Sequence, residues 1–308
     1  MKLCVLSLLL LGSPAFAAPA KASASRKPAP AAKPAPAPVK PPEDKPVNVT
    51  AKSLEVAPDA RQAVWQDDVV AERDDFRLTC DRLIAEYDPS RRLKQLVCSG
   101  NVHLTQKAAP GEPVREGWGE QAVFETATNS VTITGSPRAR EGENAMNGSK
   151  VTFLVRENRL QVERPELTAE EAGKRMKVSA RALDIPRDSN QAVWKGEVVA
   201  ERDDFRLSCN RLTAEYAESA KLRRLVCNGD VHLQQKKPAG SPPREGWGDK
   251  AVFDNALSTV VLTGNPRARE GDSSMKGSKV TYLIDQKKLR VDNPVMLLDT
   301  QQAKGGVR

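Results

Sequence analysis

Apolar and polar residues alternate in short runs along most of this chain, and Gly, Asn, Asp or Pro interrupts the runs every eight to twelve residues. The alternation is clear in residues 76–80 (FRLTC), 131–133 (VTI) and 151–153 (VTF). One face of each run is apolar and the other carries Arg, Thr or Ser, as in a strand with one buried face. Helical periodicity is scarce, and only residues 168–177 are predicted to form a short helical turn. The pattern therefore predicts an all-β protein.

A long stretch of this pattern occurs twice. Residues 62–107 return at 191–236 with 31 of 46 positions identical, at a constant offset of 129 residues, and the match continues without a gap on both sides. Such self-similarity predicts one fold unit that is used twice. Only residues 164–175 separate the copies, without a Pro/Gly/Ser linker, so we expect the two units to abut in one continuous stack of strands.

The remaining segments differ in composition. Residues 1–17 contain one lysine, a central apolar run and small residues near their end, which predicts a cleaved signal peptide. Residues 18–47 are rich in Pro, Ala and Lys, which predicts a disordered linker. The predicted repeat units are residues 48–165 and 176–298, and residues 299–308 are assigned to a C-terminal tail.

The charge balance indicates the class of partner. With 48 Lys and Arg against 40 Asp and Glu, the net charge is +8, which suits an anionic partner. An exported chain meets anionic lipid, glycan or cell wall rather than nucleic acid. Aromatic residues make up only 4 % of the sequence, which argues against platforms for stacking nucleic-acid bases.

Four cysteines follow the predicted signal peptide, an even number in a compartment that permits disulfides. Cys80 and Cys98 lie nine residues either side of Pro89, and Cys209 and Cys227 repeat that spacing. A hairpin centred on Pro89 would place the first two opposite each other, which predicts the bridges Cys80–Cys98 and Cys209–Cys227. Reduced cysteines buried in the core are the alternative.

Signals of catalysis, metal binding or a cofactor are weak. The two histidines, His103 and His232, are repeat equivalents on predicted strands, and no nucleophile elbow accompanies them. Cys80, Cys98 and His103 lack the close CxxC or HxxxH pairs that build a zinc site. We therefore predict no catalytic residue, no metal and no cofactor.

Paired carboxylates occur at Asp74 and Asp75 and again at Asp203 and Asp204. Most glycosidases use a pair of carboxylates as their catalytic groups. The same pairs lie between two apolar runs, where aspartate favours a tight hairpin turn. The turn is the preferred interpretation, and the glycosidase is kept as a hypothesis.

Residues 260–291 (VVLTGNPRAREGDSSMKGSKVTYLIDQKKLRV) carry a family resemblance. Their progression from LTGN to GSKVTYL and a following lysine pair resembles the C-terminal part of the LptA/OstA-like family of periplasmic lipopolysaccharide-transport proteins. Residues 198–202, 205–212 and 229–231 resemble earlier strands of the same family. The likeness extends over both copies, whereas a typical member has one unit and needs neither the cysteine pairs nor the proline-rich segment.

The resemblance implies tandem twisted open β-jellyroll units, stacked into one elongated groove between two sheets. It also implies that the groove shields the acyl chains of lipopolysaccharide, and that members stack head to tail between inner- and outer-membrane components of the transport machine. Groove residues are expected at the inward alternates of the strands. These are Ala71, Phe76, Leu78, Val102, Leu104, Phe124, Val131, Ile133, Val151, Phe153, Ala200, Phe205, Leu207, Val231, Leu233, Phe253, Val260, Leu262, Val280 and Tyr282.

The sequence thus predicts a non-enzymatic periplasmic carrier or bridge for lipopolysaccharide, with lipid A as its ligand. The alternative is a structural or wall-associated β-repeat protein that binds anionic glycan through its basic tail.

Overall fold

The structure is a computed structural model of the 308-residue chain. The residues that it describes are 48–57, 59, 61–73, 76–106, 114–154, 156–157, 159–171, 174–186, 189–202, 205–217, 222–235, 244–283, 286 and 288–297. The predicted signal peptide, the predicted linker and the C-terminal tail lie outside them.

Within these residues the chain forms 24 β-strands and no helix. In chain order they are β1 Asn48–Thr50, β2 Ser53–Ala57, β3 Gln62–Arg73, β4 Phe76–Tyr87, β5 Leu93–Gln106, β6 Arg115–Glu125, β7 Ser130–Thr134, β8 Arg138–Glu141, β9 Asn144–Asn147, β10 Lys150–Leu154, β11 Arg159–Glu163, β12 Glu166–Glu171, β13 Lys174–Ser179, β14 Ala182–Pro186, β15 Gln191–Arg202, β16 Phe205–Tyr216, β17 Leu222–Gln235, β18 Arg244–Asp254, β19 Thr259–Thr263, β20 Arg267–Glu270, β21 Ser273–Lys276, β22 Lys279–Leu283, β23 Lys288–Asp292 and β24 Val295–Leu297. Each repeat supplies twelve strands, and β13 to β24 repeat β1 to β12.

Four long strands in each repeat belong to two sheets at once. The first half of β3 pairs with β2 and its second half with β1. The second half of β6 pairs with β7 and its first half with β8. In the second repeat β15 and β18 divide in the same way. Sheet I therefore contains β2, β7, β10, β11, β14, β19, β22 and β23, sheet II contains β1, β8, β9, β12, β13, β20, β21 and β24, and the long strands β3–β6 and β15–β18 run through both.

The long strands change sheets at a bend with its own backbone chemistry. The β3–β4 register shifts between Gln66 and Val69, and the two residues between them adopt left-handed φ angles of 61° and 51°. In β5 the bend uses Gly100 and Asn101, also left-handed, at 76° and 48°. A Cβ at Gly100 would lie 2.3 Å from the carboxylate of Asp81, so this corner requires glycine. Bulges of this kind turn a strand, and here they fold one sheet over the other.

The two repeats form one continuous stack. Strand β11 of the first repeat pairs with β14 of the second, and β12 forms a hairpin with β13. Strand β13 then pairs with β15. The helical turn predicted over residues 168–177 is wrong, because its described residues belong to β12 and β13. Cross-strand pairing of Leu167 with Val178 buries their apolar side, and this tertiary gain overrides a weak local helical preference.

Each sheet contains eight short strands and one half of each of the eight long strands, which makes 16 strand segments within the described part of the chain. At a spacing of about 4.8 Å between strands, such a stack is about 70 Å long. The fold is thus a tandem, open β-jellyroll with two facing sheets, as the sequence predicts.

Both predicted disulfides are confirmed. Cys80 is bonded to Cys98 and Cys209 to Cys227, each pair with a Cα separation of 6.1 Å and 18 residues apart in the chain. All four cysteines are at least 96 % buried. Each bridge ties the bends of two neighbouring long strands together.

The hairpin register on which the first bridge was predicted is wrong. Cys98 pairs with Leu83 of β4, not with Cys80, and Cys80 pairs with Val69 of β3. The β4–β5 register shifts between Thr79 and Arg82, because the strands bend there. The disulfide therefore joins two cysteines that are diagonal to each other across the bend. A prediction based on a straight hairpin places them directly opposite each other.

Removing the first bridge should weaken the fold strongly. In the chain-entropy model, closing a loop of this length contributes about 3 kcal/mol. We expect Cys80→Ala with Cys98→Ala to lower the free energy of unfolding by about that amount, measured by urea denaturation followed by circular dichroism. The double variant at Cys209 and Cys227 should show a similar loss. An unfolding midpoint equal to that of the wild type would contradict the stabilising role.

Candidate functional site

Sheet I has an unbroken inward row of directly paired apolar residues. It starts at Leu54 of β2 and ends at Val291 of β23, and the cross-strand register joins each member to the next. The row consists of Leu54, Trp65, Leu83, Cys98, Ala122, Ile133, Val151, Val162, Leu183, Trp194, Leu212, Cys227, Ala251, Leu262, Val280 and Val291. One side chain is supplied by every strand of the sheet.

Sheet II faces it with a second row of the same length. Its members are Val49, Ala71, Leu78, Leu104, Gly117, Ala139, Met146, Leu167, Val178, Ala200, Leu207, Leu233, Gly246, Ala268, Met275 and Met296. All are aliphatic, Met or Gly. The two rows make a continuous apolar groove between the sheets from one end of the stack to the other.

The groove has a deep, apolar side at the bends of the long strands and a mouth at the opposite end of the sheet II strands, where charged residues lie. Val69, at the bend, is 1 % exposed and marks the deep side. At the opposite end of the sheet II strands, Arg115 of β6 donates to Glu141 of β8 at 2.8 Å, and Arg244 to Glu270 at 2.9 Å. This gradient suits an amphiphile whose chains lie inside and whose charged head lies at the mouth.

At the junction of the repeats the groove contains a cleft with about 50 Å³ of free space. Sheet II contributes residues from β9, β12, β13, β15 and β16, and sheet I contributes residues from β15, β16 and β17. The lining is Asn144, Leu167, Ala169, Met176, Val178, Trp194, Ala200, Leu207, Leu212, Ala214, Tyr216, Leu222 and Leu225. For comparison, an apolar cavity of about 150 Å³ is needed to hold benzene. The sheets are therefore in contact at this point.

The predicted groove residues fall into three groups by exposure. Buried members are Val102, Ile133, Val151, Phe153, Val231, Leu262 and Val280. Partly buried members are Ala71, Leu78, Leu104, Phe124, Val131, Ala200, Leu207, Leu233, Phe253, Val260 and Tyr282. Phe205 is 41 % exposed, and the side chain of Phe76 lies outside the described residues. The junction cleft contains only two of the twenty, Ala200 and Leu207.

Most residues of the cleft were not predicted from the sequence, because those of β12 and β13 lie in or beside the segment expected to be helical and those of β16 follow a bend that shifts the phase of the alternation. In β16 the inward residues are Leu207 and Cys209 before the bend, but Leu212 and Ala214 after it. The step between Cys209 and Leu212 is three residues instead of two, since the bulge adds one. Paired left-handed formers inside a strand pattern, such as Gly100-Asn101, were the available signal.

The histidines lie on the outer face of sheet II. His103 stacks on Trp118 with ring centroids 5.1 Å apart, and His232 stacks on Trp247 at 5.0 Å. His103 is half-exposed and its Nε2 lies 3.4 Å from a carboxylate oxygen of Glu116. These histidines are elements of a cross-strand ladder, which agrees with the prediction of strand histidines.

The carboxylate pairs at 74–75 and 203–204 lie outside the described residues. The strands on either side are antiparallel partners, with Arg73 opposite Phe76 and Arg202 opposite Phe205. In the described part of the chain no group of three or more His, Cys, Asp or Glu side chains is placed to hold a metal ion. No helix among the described residues is long and apolar enough to cross a membrane.

A charged cluster fixes the repeat junction on the outer face of sheet I. Asp184 of the second repeat, 7 % exposed, accepts a 2.6 Å hydrogen bond from Arg159 of the first repeat and a 3.0 Å bond from Lys195. The hydrogen bond from Arg159 lowers the pKa of Asp184 below its ordinary value of 3.8, against the opposing effect of burial. The two repeats are therefore joined by an ion pair as well as by strand pairing.

Because the pKa of Asp184 is lowered on folding, its charged form stabilises the fold above the ordinary value of 3.8, and this contribution is lost as the pH falls through the lower folded pKa. We expect Asp184→Asn to cost about 1 to 3 kcal/mol at neutral pH. The difference from wild type should shrink in acid, measured by denaturation at a series of pH values. Glu55→Gln, the exposed equivalent in the first repeat, is the control, and a cost independent of pH would contradict this role.

Solved and curated relatives share parts of this chain. The lipopolysaccharide export system protein LptA of Escherichia coli K12 is 40 % identical over 48 residues, which is 16 % of this chain and 26 % of that protein. LptA of Shigella flexneri matches to the same extent. The alignment thus spans about a quarter of these relatives. The crystal structure of LptH from Pseudomonas aeruginosa, described as the LptA-homologous periplasmic component of the lipopolysaccharide transport device, matches with a TM-score of 0.36 and 18 % identity over 42 % of this chain and 97 % of that one.

A family model extends over much more of the sequence. The model for the LptA/(LptD N-terminal domain) LPS transport protein matches residues 48–159 and again residues 177–288. Each segment begins in the first strand of a twelve-strand unit and ends at the start of its eleventh strand, β11 or β23. The chain therefore belongs to the LptA/LptD N-terminal domain family of lipopolysaccharide-transport proteins and carries the family's domain twice.

Proposed function

We propose that this protein is a non-enzymatic periplasmic carrier that shields the acyl chains of lipopolysaccharide on their way between the inner and outer membranes. The observation that carries the proposal is the pair of unbroken apolar rows, one on each sheet, which extend through both repeats. Every strand of each sheet contributes to them. Rows that contain no charged side chain let an acyl chain move along them without passing through water.

The free-energy cost of exposing an acyl chain to water supports a groove of this kind. An acyl chain with a dozen methylenes loses about 10 kcal/mol when it leaves an apolar environment for water, at roughly 0.8 kcal/mol for each methylene. A transport route through the periplasm has to avoid that cost at every point. At the mouth the Arg244–Glu270 pair is accessible, with side chains 55 % and 41 % exposed, so a phosphorylated head beside Arg244 would stay in contact with solvent and a cation, whereas the Arg115–Glu141 pair is largely buried.

Loading requires the sheets to separate. The junction cleft has about 50 Å³ of free space, too little for an acyl chain. The bends at the bottom of the groove are covalently tied by the disulfides, whereas the mouth is closed only by side-chain contacts. We infer that the ligand opens the groove from the mouth while the bends act as its hinge.

The ends of the stack support a bridging role. Strands β2 and β1 at one end and β23 and β24 at the other each leave one edge unpaired in the described structure. Leu54, Val56, Leu289 and Met296 at these ends are between 49 % and 60 % exposed. Free edges with apolar side chains favour pairing with a further copy or with a transport component of the same fold.

Photocrosslinking can test the groove directly. A photoreactive amino acid at Leu167, which faces the cleft, should capture lipopolysaccharide, whereas the same residue at the neighbouring Thr168 should not, because adjacent strand residues point to opposite faces. Equal capture at both positions would contradict the groove. Retention of glycan that has no acyl chains, lost when residues 18–47 are removed, would instead support the wall-associated alternative.

A further inference from the structure

Two polar atoms in the junction cleft have no hydrogen-bond partner. They are the indole Nε1 of Trp194, whose side chain is 3 % exposed, and the carboxamide Oδ1 of Asn144. Both residues line the cleft, whose other side chains are aliphatic or Met apart from Tyr216. A donor and an acceptor are thus buried in the cleft, and Asn144 lies directly opposite Glu141, which is 2 % exposed and whose Oε2 also has no partner.

Such groups are unusual in a folded protein. Buried donors and acceptors nearly always have a partner, because leaving one unpaired forfeits its hydrogen bonds to water. Replacing Trp194 by Phe or Asn144 by Leu would relieve that cost without a charge change. The polar atoms therefore point to a partner that the folded chain itself does not supply.

The positions of the two residues show where that partner would lie. Trp194 is in β15 and belongs to the inward row of sheet I, between Leu183 and Leu212. Asn144 is the first residue of β9 in sheet II, opposite Glu141. A ligand between the sheets would therefore pass the indole on one side and the carboxamide on the other.

This arrangement occurs once in the described chain. The repeat equivalent of Trp194 is Trp65, which is only partly buried near the end of the stack, and the equivalent of Asn144 is Ser273. The pair is formed by one residue from each repeat, so it exists only where the repeats meet. It is a feature of the tandem and not of the single unit.

We propose that the junction cleft recognises a hydroxyl or secondary amide group carried on an acyl chain. The group's oxygen accepts a hydrogen bond from Trp194 Nε1, and its O–H or N–H donates to Asn144 Oδ1. The aliphatic lining holds the chain on either side. This deepens the proposed function, on which it rests, because the junction would recognise a polar substituent on the acyl chain.

Competition between two fatty acids tests the proposal on the mature two-repeat protein. 3-Hydroxytetradecanoic acid and tetradecanoic acid differ only in the hydroxyl, and each is titrated against a bound fluorescent fatty acid. We expect the wild type to prefer the hydroxylated acid by about five- to twentyfold, since each neutral hydrogen bond contributes roughly fivefold. Trp194→Phe and Asn144→Leu should each reduce the ratio severalfold, and Trp118→Phe, a control on the outer face of sheet II, should keep it.

The outcomes separate this proposal from the proposed function. If the wild type binds both acids equally, or if Trp194→Phe keeps the full preference, recognition at the junction is overturned while the apolar groove stands. A water trapped between the two groups would give that result. If neither acid binds and lipopolysaccharide is not retained, the groove itself fails and the junction site fails with it. Cooperative melting curves of both variants and of Trp118→Phe show that they are folded.

Discussion

Leu207→Arg should reduce the retention of lipopolysaccharide by at least about tenfold. Leu207 lies in the inward row of sheet II and lines the junction cleft. A guanidinium at this position would be buried without a partner, which costs several kcal/mol, or it would occupy the space that an acyl chain needs. Binding is measured as lipid retained on folded, gel-filtered protein.

Ser208→Arg provides the matched control. It introduces the same side chain one residue along β16, on the outer face beside His232. There the charge stays hydrated, so retention should remain close to that of the wild type. Leu78→Arg should repeat the loss in the first repeat, and Arg77→Ala should not. Equal losses from inward and outward substitutions in folded proteins would rule the groove out.

The second large effect is expected where the ends of two stacks meet. The pairing between the two repeats inside the molecule predicts the strand register between two copies. Inside the molecule Leu160 of β11 pairs with Ile185 of β14. With the repeat offset of 129 residues, the same geometry places Leu289 of one copy opposite Val56 of the next. Opposed residues of antiparallel strands have Cα atoms about 4.5 to 5.5 Å apart, within the range that a disulfide can bridge.

Leu289→Cys combined with Val56→Cys should therefore form a ladder of covalent oligomers on mild oxidation. Leu289→Cys with Glu55→Cys is the control, because residue 55 points to the other face of β2. Mass spectrometry should locate the link between positions 289 and 56 of different copies. Arg290→Pro should suppress the ladder, since proline disrupts pairing along β23. A strictly monomeric protein at high concentration, or equal ladders from both pairs, would contradict this register.

The same ion pair that joins the repeats has an intermolecular counterpart in this arrangement. Arg159 and Asp184 correspond to Lys288 of one copy and Glu55 of the next. Lysine and glutamate preserve the signs of the charges. Lysine presents a single charged group where Arg159 makes two bonds to Asp184, so we expect the external contact to be weaker than the internal one.

The sequence determined the strand content and the tandem organisation, and the cysteine partners were predicted correctly although the hairpin register behind them was wrong. The tandem organisation follows from the internal repeat, which is found by comparing the chain with itself. The strand content follows from the short-range alternation of apolar and polar residues. Leu207 and Ala200 were predicted as inward residues for that reason, and both line the junction cleft.

Only the tertiary structure decided how the strands are shared between the sheets. In β4 and β16 the bulge at the bend switches the inward side between odd and even positions, so Leu212 could not be assigned by counting from Leu207. The bulge in β4 places Cys98 opposite Leu83 instead of opposite Cys80. Where the repeats meet, pairing between distant strands turned a segment with weak helical preference into β12 and β13, and brought Asn144 and Trp194 to one cleft. Such pairings depend on contacts between residues far apart in the chain, which no local pattern encodes.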